Sequence, residues 1–171
     1  MSTKRLLLAL LLVAAGAAGA SAGGALEGGD GTAGGARADS GRVVKVVDGD
    51  TIHVRVAGAR EKVRYIGVDT PETKHPAKGV ECYGQQASQF NARLVAGQPV
   101  RLVRDVQERD RYGRLLAYVY RVRDGLFVNA ELARLGYAQP LSIPPDVRHA
   151  RRFADLARQA REQGRGLWSA C

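Results

Sequence analysis

Carboxylates, an arginine and a row of backbone carbonyls are gathered in one short stretch of this 171-residue chain, Arg64-Tyr65-Ile66-Gly67-Val68-Asp69-Thr70-Pro71-Glu72-Thr73-Lys74-His75-Pro76. Carboxylate and carbonyl oxygens are hard donors that suit Ca²⁺ or Mg²⁺, and the stretch has none of the thiolates or paired histidines that hold zinc. Arg64 adds a planar guanidinium able to grip an anion beside such a cation. Phosphodiester cleavage calls for these parts: an activated water, a clamp on the phosphate and help for the leaving oxygen.

Two further fragments carry the same residue types. Val46-Val47-Asp48-Gly49-Asp50-Thr51-Ile52 sets a Gly-containing turn between β-branched runs and reads as a hairpin, in which Asp48 and Asp50 taken alone are ordinary turn residues. Asp110-Arg111-Tyr112-Gly113-Arg114 is a charged turn running into Leu115-Leu116-Ala117-Tyr118-Val119-Tyr120. Taken alone it is a solvated loop with an arginine at a strand edge.

Short strands must hold these fragments. Residues 42–47, 51–56, 63–68, 98–104 and 114–121 are rich in β-branched and aromatic residues and are bounded by turn or charged residues. In 51–56, Ile52, Val54 and Val56 share one face, which puts His53 and Arg55 on the surface. Pro71 holds Thr70 extended and ends the third strand, so Asp69, Thr70 and Glu72 stand at a strand end. Five short strands of this kind suit a small closed sheet.

Three helices are expected as well. Residues 83–96 carry Ala87, Phe90, Asn91, Leu94 and Val95 at helical spacing, with Gly97 as a stop. Asn129 is expected to cap a short helix through Leu132 and Leu135, ended by Gly136. Pro144-Pro145-Asp146 is expected to open the last, where Ala150, Phe153, Ala154, Ala157 and Ala160 form a stripe before Gly164. Trp168 is expected to anchor the tail against the barrel. The class is α+β.

Residues 1–22 combine Lys4 and Arg5, an apolar run from Leu6 to Ala15 and a small-residue end at Ala20-Ser21-Ala22, the pattern of a cleaved signal peptide. An uncleaved anchor is the other reading of the same stretch. Residues 23–41 are dominated by Gly and Ala and are expected to be a flexible linker, leaving 42–171 as one domain. The expected location is therefore secreted, periplasmic or on the cell surface, with no stable membrane association once the signal is removed. In an exported protein the two cysteines, Cys82 and Cys171, are expected to pair. The 26 Lys and Arg against 17 Asp and Glu give a net charge of +9, which favours a polyanionic partner without naming it.

Taken together, the three fragments resemble the staphylococcal nuclease family, with the likeness extending through Val68-Asp69-Thr70-Pro71-Glu72-Thr73-Lys74-His75-Pro76, Lys78-Gly79-Val80-Glu81 and Tyr83-Gly84, and in order from about Arg42 to Trp168. The resemblance implies a five-stranded OB-fold barrel with three helices. It also implies a monomeric Ca²⁺-dependent endonuclease and exonuclease that cuts DNA and RNA and leaves 3′-phosphate ends. On this resemblance Asp50 and Asp69 hold Ca²⁺ through carboxylates and Thr70 through its carbonyl. Arg64 and Arg114 grip the phosphate, Glu72 is the general base, and Arg111 and Tyr112 contact the terminal phosphate and sugar. Lys74, His75 and Lys78 would steer backbone phosphates. Two departures stand out: Arg111 occupies a position where the family commonly has lysine, and 139–144 lacks the aromatic residues that pack on the bound base in the type member. A catalytically silent nucleic-acid-binding module of the same fold is the alternative.

Overall fold

Alternation of apolar and polar residues closes a barrel. The computed structural model describes residues 38–73 and 79–171; the expected signal and most of the linker, with Lys74, His75 and Lys78, lie outside them. The barrel strands are β1 (Ala38–Val46), β2 (Thr51–Val56), β3 (Ala59–Tyr65), β5 (Pro99–Val103) and β6 (Leu115–Arg121), hydrogen-bonded in the order β1-β2-β3-β6-β5 with β5 returning to β1. All pairings are antiparallel except β3 with β6, which run parallel. Ile52, Val54, Val63, Val100, Leu102, Ala117 and Val119 point inward and are fully buried, while Arg55 is exposed and His53 accepts a hydrogen bond from Arg60 Nε at the surface.

β1 starts at Ala38 instead of Arg42. Ala38-Asp39-Ser40-Gly41 has little strand propensity of its own, but each residue pairs with β5, from Ala38 opposite Val103 to Gly41 opposite Val100. Asp39 is further tied to Arg104 by an ion pair. Tertiary pairing overrides propensity here.

The strand expected over 63–68 is broken in two. β3 ends at Tyr65, and β4 (Gly67–Asp69) leaves the barrel to pair with β7 (Gln139–Leu141), Gly67 opposite Leu141 and Asp69 opposite Gln139. Gly67 makes the break possible: its φ is +82°, and the Phe153 ring lies against the place a Cβ would occupy. On the other side, Ile66 donates its N–H to Ala117 (3.0 Å) and its carbonyl accepts from Asn129 Nδ2 (2.9 Å).

Asn129 is therefore not a helix cap. α2 (Val128–Arg134) begins at Phe127, and Asn129, wholly buried, also accepts the Val119 N–H of β6 at 2.9 Å. α1 (Gly84–Val95) matches its expected stripe, with Ala87, Asn91 and Val95 buried. α3 (Ala150–Glu162) starts well after Pro144-Pro145-Asp146, because that segment forms a turn of its own, with Asp146 N–H bonded to the Ile143 carbonyl (3.0 Å) and the Asp146 carboxylate engaged elsewhere. A fourth helix, α4 (Leu167–Ala170), is a single turn absent from the sequence expectation. Trp168 within it packs under Arg161 of α3, whose Cζ lies 4.2 Å from the indole centroid, so it fastens the tail to α3 and not to the barrel.

Cys82 and Cys171 form the expected disulfide, with Cα atoms 6.0 Å apart, joining the residues before α1 to α4. Closing a loop of 89 residues removes unfolded-chain entropy worth about 4–5 kcal/mol in the loop-closure picture. Among the described residues no helix is long and apolar enough to cross a membrane.

Replacing Asn129 with Ala would strand the Val119 N–H and the Ile66 carbonyl in a dry core, each at a cost of about 1–3 kcal/mol. The expected loss is about 2–4 kcal/mol in urea unfolding. A loss below about 1 kcal/mol would show that the break at Ile66 is held by other contacts.

Candidate functional site

The strand break carries the acidic site. Asp50 closes the β1–β2 turn, and its carboxylate is almost completely enclosed: Oδ1 accepts Thr51 Oγ1 at 3.1 Å, and Oδ2 accepts the Thr70 N–H at 2.8 Å and Thr70 Oγ1 at 3.0 Å. Arg64, from β3, lies across the break. Its Nη1 donates to the carbonyls of Tyr65 and Val68, both at 2.7 Å, and its Nη2 reaches Asp69 Oδ1 at 2.7 Å and Asp50 Oδ2 at 3.2 Å. The side chains of Arg64 and Asp50 are 12% and 7% exposed and that of Asp69 57%. This pairing is thus shielded from solvent at one end and open at the other.

More carboxylates crowd the same ground. The Asp48 carboxyl is pushed up to about 6, first by burial and then by the charges of Asp50 and Glu72. Burial, with Asp50 and Glu81, also raises that of Asp69 against the pull of Arg64. Beneath them Tyr65 OH donates to Asn91 Oδ1 (3.0 Å), and Asn91 Nδ2 donates to the Asp48 carbonyl (2.9 Å), fixing the turn to α1. Glu72 is exposed on the loop after Pro71. Its N–H donates to Glu81 Oε2 (3.0 Å) and its carbonyl accepts the Glu81 N–H (2.9 Å). A Cβ on Gly84 would lie 2.8 Å from the same Glu72 carbonyl oxygen, so the glycine at the start of α1 lets the helix abut this loop.

Such a concentration of half-buried carboxylate around a single guanidinium favours a bound cation. Asp50 and Asp69 already converge on one positively charged nitrogen, Arg64 Nη2. Their all-oxygen chemistry fits Ca²⁺ or Mg²⁺.

The third fragment faces the same region. Asp110 builds its turn: Oδ1 accepts the N–H groups of Tyr112 (2.9 Å) and Arg114 (3.0 Å), and Oδ2 takes Arg114 Nε at 2.6 Å. Arg114 is thereby held through one edge, its terminal nitrogens left for another anion. Tyr112, 68% exposed, lies between two guanidiniums, with Arg111 Cζ 4.8 Å and Arg114 Cζ 5.5 Å from its ring centroid. Arg64, Arg111, Tyr112 and Arg114 all line one open cavity of about 500 Å³. The structure therefore brings Asp50, Arg64, Asp69 and Thr70 into one network and the arginines and Tyr112 into one cavity, whereas Glu72 is not part of the cavity wall.

Several residues of this region escape a reading of the sequence. Asp110 could have been found from its spacing to Gly113, which is that of a tight turn. Asp105 and Asp146 could not, since their partners are distant in sequence. Asp146 Oδ1 accepts the N–H groups of Val106 (2.9 Å) and Gln107 (2.8 Å). In return Asp105 Oδ2 accepts the Arg148 N–H (3.1 Å) and Tyr118 OH (2.8 Å). This reciprocal clasp joins the loop that bears Arg111, Tyr112 and Arg114 to the segment that follows β7.

Residues 62–170 match the family described as "Staphylococcal nuclease homologue". The chain is 41% identical over 128 residues to a protein named Thermonuclease from Staphylococcus hyicus, covering 75% of each. It is 39% identical over 132 residues to a Thermonuclease from Staphylococcus intermedius, covering 77% of each. It is also 39% identical over 127 residues to Endonuclease YncB of Bacillus subtilis (strain 168), covering 73% of this chain and 59% of that one.

Asp110→Ala should release the turn. Partial burial pushes the Asp110 carboxyl up, but hydrogen bonds from Arg114 and Tyr112 outweigh it and hold the group below the ordinary range. Its stabilisation is therefore present above the usual carboxylate pKa and is lost as the pH falls through the folded value. The expected result is a fall in hydrogen-exchange protection at the Tyr112 and Arg114 amides, with a global loss of only about 1–2 kcal/mol. Unchanged protection would mean that the turn is held from elsewhere.

Proposed function

This chain belongs to the staphylococcal nuclease family, and from that premise we propose that it is an exported, monomeric, Ca²⁺-dependent nuclease that hydrolyses DNA and RNA by endo- and exonucleolytic cuts and leaves 3′-phosphate ends. The observation that carries the reading is the convergence of Asp50, Asp69 and Arg64 beside a cavity lined by Arg111, Tyr112 and Arg114. Asp50, Asp69 and the carbonyl of Thr70 are the residues that would hold Ca²⁺. A sparse oxygen set of this kind suits the flexible coordination of Ca²⁺ better than the strict octahedron of Mg²⁺. When bound, the cation supplies charge that polarises the phosphate and eases ionisation of a water.

The chain's own groups then have distinct tasks. Arg114, fixed on Asp110 by Nε, offers its remaining nitrogens to two phosphate oxygens, a fork that lysine lacks. Arg64, pinned to the carbonyls of Tyr65 and Val68, faces the phosphate next to the acids. Donors set in place before reaction serve charge that grows in the transition state without reorganising. Glu72 stands in solvent where it can accept the proton of the attacking water and return it to the bulk. Arg111 and Tyr112 receive the terminal phosphate and sugar, and the net charge of +9 draws the polyanion in. The signal-like leader and the Cys82–Cys171 disulfide support export. A silent binding module would have no need of acids and arginines assembled in this way.

Plasmid DNA and RNA should be cut in Ca²⁺ and left intact in excess chelator, with 3′-phosphate ends on the products. Undiminished cleavage in chelator would overturn the cation assignment, and 5′-phosphate ends would overturn the bond assignment.

Arg114→Ala and Glu72→Gln should each keep the wild-type circular dichroism, with kcat/KM falling on the order of 10²–10³-fold for the arginine, a typical loss for one donor to a developing anion. A wild-type rate in Arg114→Ala would remove the Asp110 turn from the site.

A further inference from the structure

Phosphate chemistry uses only part of the cavity. Besides its arginines the wall includes Leu116, Leu141, Ile143, Gln107 and Asp146. Leu141 and Ile143 are two apart on an extended segment and so face the same way, and they are 39% and 61% exposed, an apolar surface turned to solvent. Asp146 is only 5% exposed. Its Oδ1 is saturated by the Val106 and Gln107 N–H groups, and among the described residues its hydrogen bonds use that oxygen alone, leaving Oδ2 to face the cavity. Gln107 has its donor committed as well: Nε2 bonds the Arg109 carbonyl at 2.7 Å, which leaves its amide oxygen as the free end. The polar groups of this half are thus acceptors set in an aliphatic wall. A carboxylate there repels phosphate, which directs the phosphate to Arg64, Arg111 and Arg114 and leaves the aliphatic half for the base.

We propose that Asp146 Oδ2 reads the edge of the bound base and favours bases with an exocyclic amino group, cytosine and adenine, over thymine and uracil. The proposal rests on the nuclease reading above and names the substrate preference of that same site. The amino groups N4–H₂ of cytosine and N6–H₂ of adenine donate to an acceptor, whereas O4 of thymine and uracil offers it only another lone pair. Leu141 and Ile143 provide contact area without the π-face on which any base can stack, so the hydrogen-bonding edge decides more of the discrimination than it would on an aromatic platform.

The substitution that tests this is Asp146→Asn. The asparagine carbonyl can still accept the Val106 and Gln107 N–H groups, so the clasp survives, and the amide NH₂ must then take the place of Oδ2. An acceptor becomes a donor at one atom. The wild type should cut single-stranded oligo-dC and oligo-dA with kcat/KM about tenfold above oligo-dT of equal length, a difference of the order expected for one base-edge contact. Asp146→Asn should reverse or abolish that ratio while keeping the wild-type circular dichroism. Dissociation constants for the same oligonucleotides, measured by fluorescence anisotropy in chelator, should shift in parallel. A structural role alone would lower activity on all three substrates alike, and an unchanged ratio in the variant overturns the proposal. A wild type that prefers oligo-dT overturns it too, whether or not the variant folds. A wild type that binds but never cuts would end the nuclease reading, and the ratio of dissociation constants would still decide this one.

Discussion

The Arg64 guanidinium sits where two incompatible demands meet. The backbone must break between Tyr65 and Gly67 so that β4 can leave the barrel, which frees carbonyls that would otherwise be spent in a ladder, and two acids must be kept charged in poorly solvated surroundings. Arg64 answers both, with Nη1 on the Tyr65 and Val68 carbonyls and Nη2 on Asp50 and Asp69. An isolated buried carboxylate costs several kcal/mol or gives up its charge. The acids are tolerable because the cation is there, and the cation is positioned because the strand is broken.

Around that point the fold is a set of cross-braces. Asn129 ties α2 to both edges of the break, Asn91 ties α1 to the Asp48–Asp50 turn, and the Asp105–Asp146 clasp ties the arginine loop to the segment after β7. Each brace is a side chain serving backbone groups that no strand or helix satisfies, which is how irregular chain can stay buried. Site residues from separate parts of the chain thus share one rigid frame even though most of them sit on turns.

What could be read beforehand follows from the range of the interactions involved. The barrel strands were legible because period-two alternation is local, as in Ile52 and Val54 against His53 and Arg55. The fragments holding Asp50, Asp69 and Arg114 were legible because their residue types recur together in one family. Ala38 to Gly41 were not, because pairing with β5 makes them strand. Nor was the role of Asn129, since a capping asparagine and a core asparagine look alike until its partners Val119 and Ile66 are known. The place of Asp146 was hidden for the same reason: beside two prolines it resembles a helix opener, and its obligations lie some forty residues away.

Tyr112 has a part that its exposure would not suggest. Flanked by Arg111 and Arg114, and with its hydroxyl taking a hydrogen bond from Arg111 Nη2 at 2.7 Å, the ring is a stiff plate against which two long cationic side chains rest. A free arginine gives up as much as about 2 kcal/mol of rotamer entropy when it is immobilised. Here much of that disorder has already been surrendered in folding, before any polyanion arrives. An encounter with a phosphate then needs less rearrangement of the protein, and the discrimination between a phosphate that fits and one that does not is set by geometry already in place.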